Sequence, residues 1–176
     1  MVARFRKKLT LKDLAKVLSV TPATVSKALR DSSDISKEMK DKVKSKAKEL
    51  GYQPIMRFVD SVVTGVNPNY PGTGPIPAVT QILSRHSLTI EDIDLFELNE
   101  AFASKVVACA KELSIPYEKL NVEGGAIALG HPYGASGAVL VTRLFYEMQR
   151  YKKNYAISTI GIGGGIGIAV LWESLV

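Results

Sequence analysis

The chain has 176 residues, of which 46% are hydrophobic, with a single cysteine and a formal net charge of +6. That hydrophobic share excludes a disordered chain, and no run approaches the roughly 20 apolar residues of a membrane span. Cys109 alone excludes an internal disulfide and any cysteine-based zinc site. The opening "MVARFRKKLTLKDLAKVL" is basic but lacks the apolar core of a secretory signal. A cytoplasmic protein with no metal and no membrane partner is expected. Charge is unevenly placed: residues 1–53 hold 14 Lys/Arg against 6 Asp/Glu, and residues 54–176 hold 9 against 11. Such asymmetry suggests a basic nucleic-acid-binding end joined to a near-neutral domain.

The basic third predicts three helices. Thr10 with Asp13 three residues later forms a capping-box pattern, and Leu11, Leu14, Ala15 and Leu18 follow at helical spacing. Ser19-Val20 makes a short break. Thr21 then suits an N-cap and Pro22 the first helical position, with Val25, Ala28 and Leu29 on one side. Two short helices around a tight turn make a helix-turn-helix. A third helix runs from Ser36, as N-cap, to Leu50, with Met39, Val43, Ala47 and Leu50 inside and Gly51 as a left-handed stop. Most of its lysines are read as a solvated face.

The stretch "TLKDLAKVLSVTPATVSKALRDSSDISKEMKDKVKSKAKELGYQP" resembles the DNA-binding head of the lactose-repressor (LacI/GalR) family. The resemblance covers about 45 residues in register, and it implies that the second helix lies in the major groove. The matching positions are Thr21, Pro22, Ala23, Thr24, Ser26 and Lys27. Lys27 suits guanine O6/N7 and Ala23 a thymine methyl, while Thr10, Thr24 and Ser26 suit phosphates. Beyond G-Y-x-P the family continues into a hinge helix with a leucine wedge. Here the matching residue is Ser61, so no hinge helix is expected.

From about Val59 the pattern becomes strand, Pro/Gly loop, helix, then a short strand into a helix over "IDLFELNEAFASKVVACAKEL". A loop, "NVEGGAIALGHPY", precedes the helix "GASGAVLVTRLFYEMQRY", and "YAISTIGIGGGIGIAVLWES" closes with two strands. Strands alternating with helices argue for an α/β layer. Five glycines within residues 161–167 invite comparison with a phosphate loop. A dinucleotide fingerprint started at Gly161 or Gly163 fails at its sixth position, Ile166 or Ile168, and no lysine is near for a P-loop. The local reading is two apolar strands joined by a glycine turn.

"GVNPNYPGTGPIPA", "NEAFA", "NVEGGAIALGHPYGASGA" and "IGGGIGIAVLWE" are similar, in order and spacing, to the C-terminal half of the thiolases. The resemblance covers about 120 residues and implies a βαβαβαββ layer that packs, in whole thiolases, against a second, related half. It makes His131 the histidine of the active site, Asn99 the holder of an oxyanion-hole water, and Gly163 a position whose N–H lines a second oxyanion hole. The acid/base cysteine of the family falls on Gly161, and the nucleophilic cysteine belongs to the other half. Cys109 sits mid-helix among apolar residues, as inert packing does. His131, Asn99 and Gly163 are therefore expected to be relics. His86 is read as a surface residue.

The expected organisation is an all-α helix-turn-helix head over 1–55 and a thiolase-like α/β domain over 56–176. The primary reading is a sequence-specific DNA-binding, regulator-like protein without a cofactor, its partner double-stranded DNA. Alternatives are a thiolase-type acyltransferase that binds coenzyme A thioesters, or a fusion without coherent function. Val139, Leu140, Val141, Leu144, Phe145 and Met148 mark the 138–148 helix as an apolar surface. A homodimer through it would supply the two-fold pairing that a helix-turn-helix uses.

Overall fold

The computed structural model describes residues 10–52 and 54–176. The chain divides into two units, Met1–Pro54 and Ile55–Val176. In the first, α1 (Leu11–Leu18) begins at a capping box in which Thr10 and Asp13 serve each other's backbone N–H, and it stops at Ser19 in the left-handed region. The next helix, α2 (Pro22–Leu29), starts from the Thr21 cap with Pro22 in its first turn. Ser36 caps α3 (Lys37–Glu49), and Gly51 follows at φ +79°. Leu14, Ala15, Val25, Ala28, Val43 and Ala47 close a small core, with Leu18, Met39 and Leu50 packed on its rim. Leu11 and Leu29, expected inside, are 40% and 38% exposed, the first opening α1 and the second closing α2.

In the second unit, β1 (Met56–Gly65) is a strand where the head's family would place its hinge helix. Its Ser61 lies opposite Val170. Next come α4 (Pro75–His86), β2 (Leu95–Leu98), α5 (Ala103–Leu113), the one-turn α6 (Ala126–Leu129), α7 (Ser136–Tyr151), β3 (Tyr155–Ile162) and β4 (Ile166–Ser174). The sheet order is β1-β4-β3-β2; β2 pairs with β3 in parallel, and β4 pairs antiparallel with both β1 and β3. The expected βαβαβαββ order appears with its third strand reduced to a single bridge between Phe96 and Leu120. Asn121 at φ +46° and Gly124 at φ +82° turn the chain away before a strand can extend.

Alternation along the strands sends side chains to two faces. Val62, Phe96, Leu98, Ile157, Ala169 and Leu171 meet α4 and α5 in the main core. Leu95 and Ala156 meet Leu144 and Met148 of α7 in a smaller one. The inner stripe of α7 is thus already covered within the chain. Of the six residues expected to form its open surface, Leu140, Leu144 and Met148 are buried. Val139 and Tyr146 remain 39% and 63% exposed. No helix among the described residues is long and apolar enough to cross a membrane.

Backbone approaches explain part of the glycine stretch. A Cβ on Gly167 would stand 2.0 Å from the Gly74 carbonyl oxygen, and one on Gly165 would stand 2.5 Å from that of Val66. Gly163 faces open space. Gly167→Ala is expected to destabilise this unit by about 3 kcal/mol, at the upper end of overpacking penalties. Gly163→Ala should stay within about 0.5 kcal/mol. Urea midpoints of the two variants check the contrast.

Candidate functional site

Two constellations stand apart, one in each unit. In the head, the Thr21 hydroxyl accepts from Thr24 N at 3.1 Å and hydrogen-bonds the Thr24 hydroxyl at 2.9 Å. Thr21, Pro22, Ala23 and Lys27 are exposed, and Thr24 and Ser26 are half-buried, so all six lie on the accessible side of α2. Thr10 is exposed at the start of α1, its hydroxyl engaged with the Asp13 carboxylate at 2.8 Å. Sequence reasoning missed how Lys27 is held. Its ammonium forms an ion pair with Asp34, whose other oxygen accepts from the Ser32 hydroxyl at 2.5 Å. Lys27 and then Ser32 hold the Asp34 carboxyl down at about 2. Asp31, three residues earlier, pairs instead with Lys44 at 2.8 Å, and its carbonyl accepts from Lys40 at 3.0 Å.

In the α/β unit, Asn99 extends β2 by donating its N–H to the Thr159 carbonyl at 3.0 Å, and it is 6% exposed. Its side-chain nitrogen lies 3.3 Å from His131 Nε2. His131 Nδ1 lies 2.6 Å from Ser136 Oγ, which in turn lies 3.0 Å from the Pro132 carbonyl. Asn99, His131 and Ser136 thus form one hydrogen-bonded row that holds the imidazole at both nitrogens. Ser136 has no sequence signal beyond its place in "GASG".

The loop before His131 is anchored by Glu100. One carboxylate oxygen accepts from Asn121 Nδ2 at 2.7 Å and the other from Ile127 N at 3.0 Å. Asn121 in turn clasps Leu98 through both its backbone groups, at 2.9 and 3.0 Å. The structure therefore brings Asn99 and His131 together. Gly163 lies outside this network, on the exposed β3–β4 turn.

Beside Gly161, a Cβ would meet the Pro71 carbonyl at 3.3 Å and Lys105 Nζ at 3.6 Å. Cys109 is fully buried, and burial pushes its thiol up to about 11. His86 ends α4 with its side chain 31% exposed and Nε2 3.1 Å from the Asp60 carboxylate.

Behind Asn99 lies a buried charge cluster that the sequence did not signal. Glu97, 1% exposed, accepts from Arg143 Nε at 3.1 Å. Glu147, 4% exposed, has an oxygen 3.5 Å from the same guanidinium but accepts no hydrogen bond. Two carboxyls thus share one cation. Burial first, and the Glu147 charge second, push Glu97 up to about 8. Glu97, Asn99, Ser136, Leu140 and Arg143 line one narrow cleft.

Residues 52–174 match the model of the thiolase C-terminal domain, and residues 10–54 match that of the bacterial regulatory proteins of the lacI family. YhfS of Bacillus subtilis is 57% identical over 131 residues, covering 74% of this chain and 36% of YhfS. The crystal structure of the Bacillus anthracis acetyl-CoA acetyltransferase superposes with a TM-score of 0.71 at 44% identity, over 74% of this chain and 33% of that one. That of human mitochondrial 3-ketoacyl-CoA thiolase in complex with CoA gives 0.71 at 41%, over 75% and 34%. The fold and the Asn99–His131 pair define a thiolase-type α/β domain. The chain belongs to the thiolase family through this C-terminal domain, preceded by a LacI-type helix-turn-helix domain. It spans about a third of the length of the curated relatives it matches.

The buried carboxyl pair has a consequence for pH. Glu97 ionises near 4.5 in an exposed chain and near 8 in the folded unit, so the folded state binds more protons between those values. Its contribution is fully present below about pH 4.5 and is lost as pH rises towards 8. Between pH 5 and 8 the wild type should lose more stability than Glu97→Gln, by roughly 1 kcal/mol or more. Urea unfolding followed by circular dichroism at each pH measures the difference.

Proposed function

We propose that the chain is a sequence-specific DNA-binding, transcription-regulator-like protein whose head is carried on a catalytically incomplete thiolase domain. The observation that carries this reading is the LacI-type match over residues 10–54, together with an α2 that offers Thr21, Ala23 and Lys27 to the outside. In this reading α2 enters the major groove of double-stranded DNA. Lys27 reads a base edge, Ala23 meets a methyl group, and Thr10, Thr24 and Ser26 hold phosphates. Such a protein works in the cytoplasm and needs no cofactor.

Pairing into a homodimer would present two such helices to adjacent half-sites. The residues available for it are the exposed ones on and before α7: Val139, Tyr146, Ile127, Leu129 and Tyr133.

A second reading, acyl transfer on acyl-CoA thioesters, draws on the Asn99–His131 geometry and on the similarity to the acetyl-CoA acetyltransferase and 3-ketoacyl-CoA thiolase structures. Against it, Gly161 supplies no thiol, and Cys109 is buried with its thiol pushed up to about 11. Asn99, His131 and Gly163 then stand as relics of a coenzyme A thioester site.

The deciding experiment is a gel shift against randomised duplexes at rising salt, with thiolysis of acetoacetyl-CoA measured on the same preparation. Expected are a steep loss of binding with salt and no thiolysis. Lys27→Ala should relax the selected sequence and weaken binding to it by about 1–3 kcal/mol. Thiolysis that His131→Ala abolishes would replace the first reading with the second. Light scattering at micromolar concentration should return a dimer, reduced to monomer by Val139→Asp with Tyr146→Asp.

A further inference from the structure

We propose that Asp34 is a specificity-determining residue of the head, holding Lys27 away from the DNA backbone until a base edge displaces the carboxylate. This rests on the DNA-binding reading and goes beyond it, because Asp34 lies outside α2 and has no role there.

The geometry is one-sided. Lys27 leaves the exposed face of α2 and meets Asp34 across the loop that follows, and both side chains are about half exposed. The Ser32 hydroxyl holds the second carboxylate oxygen at 2.5 Å, so Asp34 is fixed rather than swinging. Its carboxyl, held down at about 2, stays ionised at any pH at which DNA is bound. The other aspartate of the loop does not compete for Lys27, since Asp31 is taken by Lys44 of α3. Arg30 points back to the Ser26 carbonyl at 3.3 Å. Lys27 is thus the cation on α2 whose partner decides what it can touch.

A carboxylate at this position acts in two ways. It competes with each phosphate for the ammonium, and it repels the phosphates themselves within the screening distance of about 10 Å. An exposed pair of this kind is weak enough to open, and a guanine edge, with O6 and N7 side by side, offers two acceptors in fixed register. On random sequence a phosphate must displace a carboxylate that is already fixed beside Lys27 and that repels it, so Lys27 neutralises phosphate less than a free lysine would. On the correct sequence the base edge takes Lys27 over.

The test is Asp34→Asn in the full chain, alone and combined with Lys27→Met, on random and selected duplexes between 50 and 200 mM salt. Asp34→Asn is expected to steepen the random-sequence slope of log affinity on log salt by about 0.9, the value for one added phosphate contact. Random-sequence affinity should rise several-fold and the ratio of selected to random affinity should fall. With Lys27→Met present, Asp34→Asn should leave the slope unchanged. An equal effect in both backgrounds, or no change in slope, overturns the role of Asp34 while leaving DNA binding intact. A wild type that binds no duplex at 50 mM salt overturns the DNA-binding reading and this role with it.

Discussion

Close contact of backbone on backbone between α4 and β4 organises the α/β unit. At Gly74 and Gly167 the two chains approach so closely that a methyl group on either would overlap the other. The Thr64 hydroxyl joins the same point by donating to the Gly74 carbonyl at 3.3 Å, and Val66 N donates to the Gly165 carbonyl at 2.7 Å. These contacts seat the start of α4 on the sheet. Its Ala78, Val79, Ile82 and Leu83 then cover β1 and β4. They also fix the β3–β4 hairpin, whose register carries through β3 to the parallel strand β2. The place of Asn99, one residue past β2, follows from that register.

The two faces of β2 do different work. Phe96 and Leu98 enter the apolar core, while Glu97 and Asn99 point to the side of α7. A buried acid–guanidinium–acid cluster is a poor source of stability, because desolvation offsets most of the attraction. It does restrict how α7 can sit: a helix rotated or shifted by one turn would leave Glu97 without Arg143, an expensive loss in a buried site. The same helix begins at Ser136, whose hydroxyl oxygen lies against His131 Nδ1. The charge cluster and the histidine network are therefore two consequences of one helix docking.

Much of this was legible in the sequence where one residue type answers one local demand. Thr10, Thr21 and Ser36 cap helices because a short hydroxyl reaches a free N–H, and Gly51 takes a left-handed turn because it has no Cβ. Asn99 and His131 could be placed together only through the resemblance, since 32 positions separate them. What stayed hidden were pairings set by tertiary approach. No local pattern pairs Asp34 with Lys27, Ser136 with His131, or Arg143 with Glu97. The loop reading of "NVEGGAIALGHPY" agrees with the structure, and the third strand that the resemblance implies shrinks to one bridge at Leu120 because Asn121 and Gly124 turn at positive φ, which no apolar pattern signals. The outer stripe of α7 was overestimated because composition does not say which side of an apolar helix its own sheet covers.

Net charge is also a coarse guide to what the head does. An excess of eight positive charges over residues 1–53 sets the long-range attraction to a polyanion, and ion pairs within the head do not diminish that sum. They decide which cations can leave their places at close range. Lys44 is engaged by Asp31, Lys46 by Glu49 and Lys27 by Asp34. In the proposed DNA-binding reading, each pair makes a short-range contact with phosphate conditional on breaking it. Attraction and selectivity then draw on different features of the same sequence: the first on how many lysines there are, the second on where a few aspartates stand relative to them. In the α/β unit position again outweighs number: Asn99, His131 and Ser136, far apart in sequence or hidden among small residues, are brought into one hydrogen-bonded row by the way α7 docks on the sheet.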